Sequence, residues 1–183
     1  MPRTRSAIGR EVKTDEILAV AERRLREGGY EALSVAAMAR ELGVAQNAIY
    51  WYFPSKDELF VATLQRMLQE IAAGKPSHET DVRERILWFT DQFQALSRLR
   101  GAMSERARSS RVVAEFEADL DQLLSRMLSN AMQERVSQEE LPVAVETFRA
   151  TVEGAFVRRL EDADRRRLLR FALDRLLGYP GEA

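Results

Sequence analysis

Residues Ser34 to Leu59 read S-V-A-A-M-A-R-E-L-G-V-A-Q-N-A-I-Y-W-Y-F-P-S-K-D-E-L. Two short apolar-periodic segments flank a single glycine, and a proline stops the second. Ser34 is suited to cap a helix from Val35 to Leu42, because its hydroxyl can accept an amide hydrogen bond from the first turn. Gly43 supplies the left-handed backbone that closes that helix. A second helix then spans Gln46 to Tyr52, since Pro54 pushes Phe53 out of helical geometry. Ala37, Leu42, Val44 and Ile49 can pack inward and set the angle between the helices. This is the logic of a helix-turn-helix, whose second helix enters the major groove. Its outer face offers Gln46, Asn47, Tyr50 and Trp51. Gln and Asn can each hold an adenine edge with two hydrogen bonds. Tyr50 to Phe53 are four consecutive aromatics, which cover every face of a helix, so at least one must be exposed or meet a partner.

The rest of the chain is helical in period, with no strand alternation, and breakers divide it into about nine helical segments. The first is expected from Thr14, as N-cap, to Glu27, with Gly28 and Gly29 after it. Ser55 and Glu58 form a capping box for a fourth helix reaching about Ala73. Asp81 opens a fifth, whose stripe of Val82, Ile86, Phe89, Phe93 and Leu96 predicts continuity to Gly101. A short helix near Ala102–Arg108 and a long one over about Ser110–Glu134 follow. The last two are expected at about Pro142–Leu160 and Asp164–Leu177.

Composition limits the function. The 183 residues carry 28 Lys+Arg and 29 Asp+Glu, a net charge of −1. The absence of cysteine excludes disulfides and thiol catalysis and fits a reducing cytosol. No apolar run reaches membrane-span length, and Met1 to Lys13 lacks the apolar core of a secretory signal, so a cytoplasmic protein is expected. One histidine, His78, stands in a polar stretch and leaves no His pair or triad. Asp119 with Asp121, and Asp162 with Asp164, point to different helix faces. Neither a metal nor a cofactor is expected, nor is an enzyme. Near-neutral charge argues against coating nucleic acid. A reader that concentrates its contacts on one helix is compatible with it. Residues 1–60 hold nine basic and nine acidic side chains. Arg3, Arg5, Arg10 and Lys13 against Glu11 make the first thirteen residues +3, a candidate flexible arm on DNA or simply a disordered terminus.

The stretch from about Thr14 to Phe60 resembles the DNA-binding domain of the tetracycline-repressor-like (TetR) family of bacterial regulators. E-L-G-V at Glu41–Val44, Y-W-Y-F at Tyr50–Phe53 and P-S-K-D-E-L at Pro54–Leu59 carry the resemblance, with G-G-Y at Gly28–Tyr30. It implies an all-α protein. A helix-turn-helix domain over 1–55 would precede a helical effector-binding and dimerisation domain over 56–183. It further implies phosphate contact by Ser34 and Lys56, base contact by Gln46 and Asn47, and backbone contact by Tyr50 and Tyr52. Trp51 is left either beside the DNA or packed between helices. Ala45 departs from the family's usual Ser or Thr cap.

In the second domain, Trp88, Phe89, Phe93, Met103, Phe116, Met127 and Phe148 are candidates to line an apolar ligand cavity, each with ordinary core packing as the alternative. Arg106, Gln92, Asn130 and Glu153 are candidate polar anchors. Val145, Val152, Phe156, Leu168, Phe171, Ala172 and Leu176 are candidates for a homodimer interface of the last two helices. The partners implied are a palindromic DNA operator, a small apolar or aromatic effector and a second copy. The expected function is a repressor released by a small molecule. The alternatives are a DNA-binding regulator without a ligand, and a small helical carrier or enzyme.

Overall fold

The computed structural model describes residues 5–77 and 79–180. Among these the chain is helical throughout, without a strand. Helices α1 (Arg5–Gly28), α2 (Val35–Glu41), α3 (Gln46–Tyr52), α4 (Lys56–Ala73) and α5 (Val82–Gln92) are followed by four more. These are α6 (Gln94–Ala107), α7 (Arg111–Met132), α8 (Leu141–Val157) and α9 (Asp162–Leu176). A single 3-10 turn lies at Tyr30–Ala32.

Two compact units result. The first comprises residues up to Ala73 together with Arg98–Glu117; the second comprises Gly74–Ser97 and the chain from Ala118 onward. In the first, α1 packs along α4 and α2 against α3. Its core is an apolar stripe of α1, Ile17, Ala21 and Leu25, buried with Met38, Ile49, Leu59 and Phe60. In the second, α9 packs on both α8 and α5. Phe148, Leu169, Leu173 and Leu87, all fully buried, centre its core. Arg83 of α5 donates to Asp174 of α9 at 2.7 Å.

Two expectations need correction. The first helix starts at Arg5, not at Thr14. No proline interrupts the stretch after Arg3, so the segment proposed as a flexible arm continues α1, and Thr14 sits within it. Arg3 lies outside the described residues. The fifth helix ends at Gln92 rather than Gly101, with Phe93 between α5 and α6. Gly101 is inside α6 with open space where a side chain would be. A solvent-facing helical glycine costs about 1 kcal/mol against alanine but does not force an end.

The end of α8 had no sequence signal. Leu160 N–H reaches Ala155 C=O at 3.2 Å and Arg159 N–H reaches Phe156 C=O at 3.0 Å. This is the glycine-type helix stop, yet arginine holds its left-handed position, with φ 53°.

Candidate nucleic-acid interface

The turn between α2 and α3 is built by the same device with its usual residue. Gly43 has φ 65°. Val44 N–H bonds to Ala39 C=O at 2.9 Å, and Gly43 N–H to Arg40 C=O at 3.3 Å. At the other end of α2, the Ser34 hydroxyl accepts from Ala37 N–H at 3.3 Å. Helix α3 has no side-chain cap at Ala45, as the sequence indicates. Ile49, wholly buried, anchors it instead.

That single anchor fixes which residues face outward. Gln46, Asn47 and Ala48 are exposed. Tyr50 is 42% and Trp51 62% accessible. Trp51 is therefore not packed between helices; its indole meets the Tyr52 ring edge-on at 4.9 Å. Tyr52 is half-buried and Phe53 buried. The four-aromatic run thus grades from solvent to core in two residues. An exposed amide pair beside two exposed aromatic rings offers hydrogen bonds and flat apolar surface on one short ridge.

Lys56 opens α4, where Ser55 accepts from Glu58 N–H at 3.1 Å. Its ammonium lies 4.0 Å over the Tyr30 ring and 3.9 Å from Glu31. Tyr30 is half-buried, edge-on to Phe60 at 5.0 Å. Its hydroxyl donates to Asp57 Oδ1 at 2.5 Å. Arg106 grips the same carboxylate with two bonds, Nε to Oδ1 at 3.1 Å and Nη2 to Oδ2 at 2.7 Å. The Arg106 bonds, with those from Tyr30 and Ser110, outweigh burial and hold the Asp57 carboxyl down to about 2. Burial, aided by the bond to Asp57, pushes the Tyr30 phenol up to about 12. This cluster was not foreseen. Arg106 is 49 positions from Asp57, and no spacing rule links them.

The ligand candidates do not form one group. Met103 and Phe116 are buried and belong to the first unit; the other five belong to the second. There Trp88 and Phe89 meet edge-on at 5.0 Å, Phe93 and Met127 are half-buried, and Phe148 lies in the core. Of the anchors, Arg106 is engaged by Asp57, while Gln92, Asn130 and Glu153 are exposed.

The dimer candidates divide as well. Val145 is buried within its own unit, and Val152, Ala172 and Leu176 pack on that core. Phe156 is half-buried under the Arg165 guanidinium, 5.2 Å away. Leu168 and Phe171 stand exposed on α9. Val143 and Val157 on α8 are exposed too, and the sequence reading missed them. His78 lies outside the described residues. Among the described residues, no three His, Cys, Asp or Glu side chains converge as a metal site would need. Also among them, no helix is long and apolar enough to cross a membrane.

Residues 17–63 match the family model "Bacterial regulatory proteins, tetR family". The N-terminal module belongs to the tetR family of bacterial regulatory proteins. Beyond the tetR module, similarity extends further with some relatives. The HTH-type transcriptional repressor KstR of Rhodococcus jostii is 32% identical over 137 residues, covering 71% of this chain and 63% of KstR. The nucleoid occlusion factor SlmA of Haemophilus influenzae is 31% identical over 103 residues, 49% of this chain and 47% of SlmA. The chain thus spans less than two thirds of the length of the curated relatives it matches, 63% of KstR and 47% of SlmA. A solved protein from Saccharomonospora viridis, in complex with choline, shares the fold at a TM-score of 0.73. It has 15% identity over 90% of this chain and 96% of that one.

Proposed function

We propose that the protein is a sequence-specific DNA-binding transcriptional regulator that represses as a homodimer and is released by a small molecule. The observation that carries this is the outward ridge of α3: Gln46, Asn47, Tyr50 and Trp51 stand exposed on a helix fixed by Ile49 and the Gly43 turn. Gln46 and Asn47 read base edges in the major groove. Tyr50 and Trp51 contact thymine methyls or sugar, Ser34 and Tyr52 hold the phosphate backbone, and Lys56 binds phosphate beside the start of α4.

Two copies pair through the exposed apolar residues of α8 and α9, Val143, Val157, Leu168 and Phe171. Two reading helices then address half-sites about 34 Å apart, which requires a palindromic operator. The proposed division is a DNA-binding domain over 1–55 and an effector and dimerisation domain over 56–183. Trp88, Phe89, Phe93 and Met127 offer partly buried apolar surface to an effector in the latter. The protein works in the cytosol and carries out no chemical step.

The experiment is a mobility shift on the DNA upstream of the protein's own gene, at moderate salt with competitor DNA. A specific shift that Tyr50→Ala abolishes while helical content persists supports the reading. Absence of any sequence-specific shift refutes it. Persistence of the complex against a panel of apolar and cationic small molecules, with no rise in melting temperature, favours a regulator without a small-molecule ligand.

A further inference from the structure

Asp57 is badly placed for a protein that binds DNA with the start of α4. It follows Lys56 directly, so an unpaired carboxylate there would oppose phosphate and compete for the lysine ammonium. Instead both its oxygens are engaged, by Arg106 at 2.7 and 3.1 Å and by Tyr30 at 2.5 Å. Its side chain is only 14% accessible. The Tyr30 ring in turn has the Lys56 ammonium at 4.0 Å and the Arg106 guanidinium at 5.5 Å. Two cations therefore flank one aromatic ring, but Arg106 alone holds Asp57, while the Lys56 ammonium stands 3.9 Å from the exposed Glu31 carboxylate. Only a planar, five-donor group can close the two-pronged bond that Asp57 receives.

We propose that Arg106 is a positioning residue for DNA binding: by clamping Asp57 and flanking Tyr30 it keeps Lys56 free of the neighbouring carboxylate and held for phosphate. The role rests on the DNA-binding reading above. Arg106 never touches DNA in this account; it acts through Asp57 and Tyr30. It sits in the last turn of α6.

The test uses full-length protein and a duplex enriched from a random pool by the wild type. Affinities are measured by fluorescence anisotropy across a salt series. Arg106→Ala is expected to weaken binding about tenfold, the size of one lost charge-assisted contact. Arg106→Lys, which keeps the charge but not the two-pronged bond, falls in between. The decisive variant is the double substitution Arg106→Ala with Asp57→Asn. Removing the carboxylate is expected to recover most of the lost affinity with every variant compared well below its unfolding midpoint, so that recovery reads the charge beside Lys56 and not restored stability. Unfolding midpoints are recorded for every variant. Equal affinity of Arg106→Ala and wild type overturns the role, as does failure of the double variant to recover. If the wild type enriches no sequence at all, the DNA-binding reading fails, and this role with it.

Discussion

Replacing Phe171 by alanine tests the pairing of two copies through α8 and α9. Phe171 is 59% accessible in the single chain, with the Arg175 guanidinium 5.4 Å from its ring. A phenylalanine exposes about 200 Å² when free, so about 120 Å² remains to be covered. At about 25 cal/mol per Å² that is about 3 kcal/mol per side chain. A two-fold interface contains the residue twice, giving about 6 kcal/mol if coverage is complete and about 3 kcal/mol if it is half. The lower figure raises the dimer dissociation constant about 100-fold. Sedimentation equilibrium over a wide concentration range reads this directly. Because the ring is outside the core, circular dichroism should show unchanged helical content. A dissociation constant within threefold of wild type would refute the assignment of this face.

Other perturbations address single elements. Phe148→Ala empties the centre of the second unit's core and is expected to cost about 3–5 kcal/mol in urea unfolding. Arg159→Gly relieves the left-handed arginine after α8 and is expected to raise stability by about 0.5–1 kcal/mol, seen as a melting rise of about 2 °C. The Asp57 carboxyl is held at about 2 against an ordinary 3.8. Its contribution, about 1–2 kcal/mol after allowance for solvent screening, is present above pH 4 and is lost between about pH 4 and 2. Urea titrations of wild type and Asp57→Asn should therefore differ at pH 6 and converge near pH 2. The Tyr30 phenol, at about 12 against 10, acts with the opposite sign: its contribution holds below pH 10 and fades from 10 to 12.

What could be read in the sequence follows the range of the interactions. Ser34, Gly43, Ala45, Pro54 and Ser55 act on neighbours within five residues, so α3 and the start of α4 were legible to the residue and α2 to within one, its expected last residue Leu42 being the cap after Glu41. The outward positions of Gln46, Asn47 and Tyr50 were legible as well, because one buried residue, Ile49, sets the phase of a two-turn helix, whereas the place of Trp51 is settled only by its exposure. The end of α8 was not, since arginine occupies the place where glycine is the usual signal. The break at Phe93 carries no proline or glycine to announce it. The Asp57 clamp joins α4 to α6 across 49 positions and exists only once the chain has folded. Exposure of Val143 and Val157 was equally hidden, because α8 is apolar on more than one face and only packing on α9 decides which is covered.

The first unit is not a continuous stretch of chain: it needs Arg98–Glu117 as well as the residues up to Ala73. Translation proceeds from the N-terminus at about 5–20 residues per second, so α1 to α4 leave the ribosome seconds before α6 can join them. Until then Asp57 and Tyr30 have each other but not Arg106. A nascent chain, or a product of a message broken before residue 98, accordingly carries the whole α3 ridge beside an unclamped carboxylate. Under the role proposed for Arg106, such a fragment binds DNA more weakly than a chain that extends through residue 117.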